Sequence, residues 1–193
     1  MKKETLSCQL RSIVIYQFLN LYNNLEQKIR KAFQNDLSKA GPEDINRLYF
    51  FYGGKIGTYI DYENSITKLI ETKFQKNEKF SELTICQILK INKCAKFIES
   101  LIFEINSIQR PSTVLEFQDC ALKLLNMRNI LSHELVDCVF KDKDIIELLS
   151  DENIKKFDFD FIKNYDFNLM DDITKAIISN FYYMQIMANK LGD

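Results

Sequence analysis

The first forty residues contain neither glycine nor proline, and their apolar side chains recur at steps of three and four. Ile13, Ile15, Phe18, Leu19, Tyr22, Leu25, Ile29 and Phe33 follow that spacing. It predicts one long amphipathic helix from about Thr5 to Leu37, whose apolar stripe must be covered by other helices. The whole chain of 193 residues has only five Gly and two Pro, which disfavours a turn-rich β fold. With 46% hydrophobic and 12% aromatic residues it is not a disordered chain. The expected class is all-α, one domain over 1–193, long enough to bury a substantial core.

Breaks in the pattern place the other elements. Ala40-Gly41-Pro42 ends the first helix, and Pro42, followed by Glu43 and Asp44, suits the start of a second. Gly53-Gly54 follows the aromatic cluster Tyr49-Phe50-Phe51-Tyr52 and reads as a bend, because no P-loop Lys-Ser/Thr comes after it. The aromatic cluster itself reads as core, with base stacking as the alternative. Helical spacing resumes from Lys55 to about Lys76. Ser81 is placed to cap a central helix from about Glu82 to Ile108. Arg110-Pro111 stops that helix, and Thr113-Val114-Leu115-Glu116 has the form of a capping box opening the next. Residues 136–170 read as a less regular insertion, with strand-like alternation at Phe157-Asp158-Phe159-Asp160-Phe161. A last helix is expected from about Asp171 to Leu191, stopped by Gly192.

Several classes are disfavoured at once. No apolar run approaches a membrane-spanning length, and Met1-Lys2-Lys3-Glu4 does not begin a signal peptide. The expectation is a cytoplasmic protein without a membrane role. The five cysteines (Cys8, Cys86, Cys94, Cys120 and Cys138) are odd in number, lack C-x-x-C spacing and accompany a single His. A zinc site is therefore not expected, nor any other cofactor, and most of these thiols read as small core residues of a reduced protein.

The chemistry-bearing stretch is Met127-Arg128-Asn129-Ile130-Leu131-Ser132-His133-Glu134-Leu135. It holds the sole histidine, the side chain best suited to exchange a proton near neutral pH. Arg128 stands five residues before it, and arginine is the preferred partner of a phosphate oxyanion. On one straight helix Arg128 and His133 are about 140° apart around the axis, whereas Asn129 and His133 share a face. One helix cannot aim Arg128 and His133 at one point. Two copies facing each other across a two-fold axis can, because each residue then occurs twice around one cleft.

This pattern, Arg128-Asn129-Ile130-Leu131-Ser132-His133, resembles the signature of the HEPN superfamily (higher eukaryotes and prokaryotes nucleotide-binding domains). That signature is an Arg, usually a following Asn, and a His after a gap of four to six residues. Ser132 before the His is similar too, as are Leu25-Glu26 and Ile29-Arg30 to positions on the family's opening helix. The resemblance implies an up-down bundle of about four core helices with additional C-terminal helices. It also implies a homodimer that cuts RNA, such as transfer or messenger RNA, without a metal. Arg128, Asn129 and His133 would be catalytic, with Ser132, Arg30 and Lys31 supporting or holding RNA. The setting it implies is a toxin or an abortive-infection effector of anti-phage defence, with an antitoxin or regulatory protein as a further partner. Leu135 stands where toxins paired with nucleotidyltransferase antitoxins often carry a Tyr, so regulation through that tyrosine is not expected here.

The net charge of −1 excludes a generic nucleic-acid binder, but the charge is uneven. Residues 1–40 carry seven Lys/Arg against Glu4, Glu26 and Asp36, while 134–172 carry twelve Asp/Glu against five Lys. Solvated faces explain both most simply; a basic end would also help to hold RNA, and an acidic one to meet a basic partner. The alternative function is a non-catalytic helical interaction or nucleotide-binding module that regulates a partner, with the motif as a structural remnant.

Overall fold

The computed structural model describes residues 3–41, 43–44, 83–96, 98–133, 139–157 and 167–192. Among them the longest element is α1 (Lys3–Lys39), slightly longer at both ends than the spacing predicts. Its buried stripe is Leu10, Val14, Phe18, Tyr22, Leu25, Ile29, Phe33 and Leu37, at steps of three and four. Burying each such side chain is worth about 2 kcal/mol. Ile13, expected inward, is instead 37% exposed beside exposed Tyr16, because it lies off the centre of that stripe.

The elements around α1 are labelled α2 (Ile85–Ala95), the hairpin strands β1 (Glu104–Asn106) and β2 (Val114–Glu116), α3 (Phe117–His133), the short α4 (Asp151–Ile154), and α5 (Asp172–Leu191). The last helix matches its expected span. The Asp171 side chain caps it by accepting from the Thr174 N–H at 2.8 Å, and Gly192, at φ +72°, ends it. α5 packs along α1, with the Phe18 and Phe181 rings 6.3 Å apart. Arg11 pairs with Asp171 near one end, and Lys28 donates to the Gly192 carbonyl near the other. Residues 11, 18 and 28 therefore meet 171, 181 and 192 in the same order, so the two helices run parallel.

The central helix is shorter than expected. Thr84, not Ser81, forms its capping box, accepting from the Gln87 N–H at 3.3 Å while the Gln87 side chain accepts from the Thr84 N–H at 2.8 Å. Lys96 turns into the left-handed region at φ +46°. Buried Asn92 then accepts from the Ile98 N–H at 2.9 Å, offering the chain a partner outside the helix. The run to Ile108 becomes a 3₁₀ turn (Glu99–Leu101) and β1, which pairs antiparallel with β2 at Ile105↔Leu115. Ile98, Leu101 and Ile105 remain buried at the helical steps of three and four, but from a turn and a strand. Ile102 is 48% exposed for the same reason. Thr113 does not cap a helix. It closes the hairpin, donating to Arg110 and accepting from Ser107, and α3 begins three residues after it would have. The described residues are thus mostly helical, with one small hairpin.

Residues 139–157 are irregular as expected, with a 3₁₀ turn at Asp142–Asp144 and α4. Phe157 stacks on Tyr182 at 5.3 Å; the rest of the alternating stretch lies outside the described residues. So do the aromatic cluster at 49–52, Gly53-Gly54, the helix expected over 55–76 and Pro42. Of the cysteines whose side chains are described, Cys120 is buried and Cys86 half-buried, but Cys8 is exposed near the start of α1 and is not a core residue.

Glu147 ties the irregular segment to the hairpin and to α5. It accepts from Ser107 Oγ at 2.6 Å, the Gln109 N–H at 3.0 Å, the Ile108 N–H at 3.2 Å and the Tyr183 hydroxyl. Partial burial pushes its carboxyl up, but these hydrogen bonds outweigh it and hold it below its ordinary value. A depressed carboxylate stabilises the fold above the ordinary glutamate range and stops doing so as the pH falls through and below it. Urea unfolding across that acid range should show wild type losing stability more steeply than Glu147→Gln, which is less stable than wild type at neutral pH.

Candidate functional site

The last turns of α3 carry Arg128, Asn129, Ser132 and His133, so the motif lies on one helix as expected. Phe117, Ala121, Leu124 and Leu131 point that helix into the core. Arg128 lies at the same angle as this buried stripe, and His133 about 140° away on the outer face. The structure therefore does not bring the two together within one chain. Arg128 is half-buried and directed toward α1, while His133 is exposed and its ring makes no hydrogen bond among the described residues.

Arg128 is held from two sides. Its guanidinium carbon stands 5.9 Å from the centre of the Tyr22 ring, near the outer limit of a cation–π contact. Its Nη1 donates to Asn129 Oδ1 at 3.0 Å. Asn129 thus orients the arginine and not His133. Ser132 Oγ donates to the Arg128 carbonyl at 2.8 Å, so this hydroxyl supports the helix backbone. No carboxylate pairs with Arg128 among the described residues. Arg11 and Arg30, in contrast, each bind one, Asp171 and Glu26.

Tyr22 is the residue that sequence reasoning missed. It was legible only as a member of the α1 stripe, yet a tyrosine there, with Glu26 and Arg30 at successive turns, marks a polar end to a core position. Its side chain is 2% exposed, and its hydroxyl has no hydrogen-bond partner among the described residues. Burial, reinforced by Glu26, pushes the phenol well above its ordinary value, although Arg128 and Arg30 pull it down. Tyr22 is therefore neutral and serves as a ring beneath Arg128.

Arg30 belongs to the same neighbourhood, but its guanidinium is occupied. Nε and Nη2 donate to Glu26 Oε1 at 3.0 and 2.8 Å, and Nη1 to the Leu83 carbonyl at 2.9 Å. Arg30 fixes α1 to the entry of α2. Lys31 is exposed and borders a small cavity of about 170 Å³ with Lys28, Lys39 and Gly192, toward the C-terminal ends of α1 and α5. Among the described residues no group of three His, Cys, Asp or Glu could hold a metal, and no helix is long and apolar enough to cross a membrane. Comparison with protein-family models, with curated proteins and with solved structures finds no match.

The two contacts of Tyr22 separate by substitution. Tyr22→Phe keeps the ring beneath Arg128 and removes an unpartnered hydroxyl, whose burial costs about 1–3 kcal/mol. It should unfold in urea at the wild-type midpoint or above. Tyr22→Leu removes the ring and should be less stable by about 1–3 kcal/mol, the combined effect of reduced ring burial and the missing cation–π contact.

Proposed function

We propose that this chain is a metal-independent endoribonuclease of HEPN type whose site is completed by a second copy of the chain. The observation that carries this reading is Arg128, a half-buried cation braced by Tyr22 and Asn129 with no described carboxylate to neutralise it. Its Nε and Nη2 carry no hydrogen bond among the described residues. A braced guanidinium with donors to spare is suited to an anion such as a phosphate. His133 supports the same reading from its exposed position on the outer face, open to a substrate or a second chain. A His buried in the core would have favoured the non-catalytic module.

RNA carries its own nucleophile, so such a site needs proton transfer and charge stabilisation only. The ribose 2′-oxygen forms a bond to the adjacent phosphorus as the bond from phosphorus to the 5′-oxygen breaks. One His133 takes the 2′-hydroxyl proton and the second His133 gives a proton to the departing 5′-oxygen. Arg128 stabilises the charge on the non-bridging oxygens. The products are a 2′,3′-cyclic phosphate and a 5′-hydroxyl. The helical bundle, the cytoplasmic setting and the role as a toxin or defence effector with a neutralising partner follow from the same proposal.

The test is cleavage of total and transfer RNA with EDTA present. Wild type should cut and leave cyclic-phosphate ends, and His133→Ala should lose about 10²–10⁴ in rate. Arg128→Ala should lose about as much through charge stabilisation. Equal cleavage by wild type and both variants, each folded, would remove the motif from catalysis.

A further inference from the structure

The outer face of α3 continues beyond His133. Leu122, Asn126, Asn129 and His133 fall within about 60° of one another around the helix axis, a single outward stripe. At its far end the stripe enters a cavity of about 630 Å³ between α3, β2 and the irregular segment, a volume typical of small-ligand sites. Asn126, at the near edge, is about 10 Å along the axis from His133, and Asp119, at the far edge, about 21 Å. The cavity and the histidine are thus a few nucleotides apart on one continuous face.

The chemistry of the walls is mixed. Leu115, Leu122 and Ile146 are apolar, and burial pushes the thiol of Cys120 up to about 12, so that wall is neutral. Three carboxylates and three lysines also line the cavity. Asp119 is held by Lys93 and Asp144 by the Asn126 amide and the Lys141 N–H, and Glu116 accepts from the Gln118 amide at 3.3 Å. Lys123 donates to the Ile145 carbonyl at 3.3 Å. Lys90 and Lys143 are exposed and have no ion-pair partner among the described residues. Two exposed ammonium groups beside apolar surface offer charge for phosphates and a dry face for an unstacked base, with no aromatic ring among the described lining residues.

We infer that this cavity is a nucleotide subsite, binding one base of a single-stranded RNA a few residues from the phosphate cut at His133. Lys90 and Lys143 hold the flanking phosphates, and the apolar walls take the base. The inference rests on the nuclease reading for its relation to His133, but not for the binding itself.

The test therefore uses a strand that cannot be cut. A fluorescent 2′-O-methyl oligonucleotide of about a dozen residues is titrated, over a salt series, with wild type and with the double variant Lys90→Glu/Lys143→Glu. Lys156→Glu, a charge reversal in the loop after α4, is the control. The double variant should bind about tenfold weaker or worse, and its salt slope should be smaller by about 0.7 for each phosphate it no longer neutralises. In parallel, oligoribonucleotides of rising length are cut by the same proteins. The double variant should lack the gain in rate that wild type and the Lys156→Glu control show on strands long enough to reach the cavity. Binding by wild type that the double variant lacks, without cleavage by any protein, supports the subsite and removes the nuclease. Cleavage with binding and length dependence equal to those of the control overturns the subsite and leaves the nuclease. Absence of binding by wild type overturns the subsite outright.

Discussion

The apolar stripe of α1 is the constraint on which the rest of the structure depends. Leu10 to Leu37 form one continuous buried row, and α5 runs parallel to it with Phe181 against Phe18. The ion pair of Arg11 with Asp171 and the bond from Lys28 to Gly192 fix the register of that pair. The same row presents Tyr22 to α3, so one element provides both the core and the brace for Arg128. Damage to the stripe would therefore reach the candidate site without touching the motif.

The long helices are legible because hydrophobic spacing and punctuation agree in them. α1 has no Gly or Pro to interrupt its stripe, and α5 has Asp171 and Gly192 at its two ends. The central region misleads because Ile98, Leu101 and Ile105 keep helical spacing while the backbone does not. A 3₁₀ turn followed by a strand can bury residues at three- and four-residue steps when the chain reverses around them. The deciding residue is Asn92, whose buried amide draws the Ile98 N–H out of the helix. Its polar side chain gives no periodic signal, since it depends on a partner six residues away. Likewise Thr113-Val114-Leu115-Glu116 fits a capping box and β2 equally well, and only the pairing with β1 decides.

The motif is legible as residues but not as an environment. Helical geometry alone puts Arg128 and His133 on different faces, and the structure keeps them there. Spacing could not reveal that Asn129 turns toward Arg128, that Ser132 bonds to the backbone, or that Arg30 is occupied by Glu26. These are contacts between side chains on different turns or different helices. Tyr22 escapes notice because a tyrosine in a core row looks like any other large apolar residue. What results is a cation without a described counter-charge and an exposed histidine whose ring has no described partner.

The measurement that tests this account most directly is the mixing of wild type with His133→Ala. The two are unfolded together in varied proportion, refolded, and assayed for RNA cleavage with EDTA present. A site that needs one His133 from each chain predicts that mixed dimers, which hold a single His133, are inactive, so activity falls as the square of the wild-type fraction. A fall in direct proportion to that fraction, with mixed dimers demonstrated, would mean that each chain acts alone and would contradict the shared site.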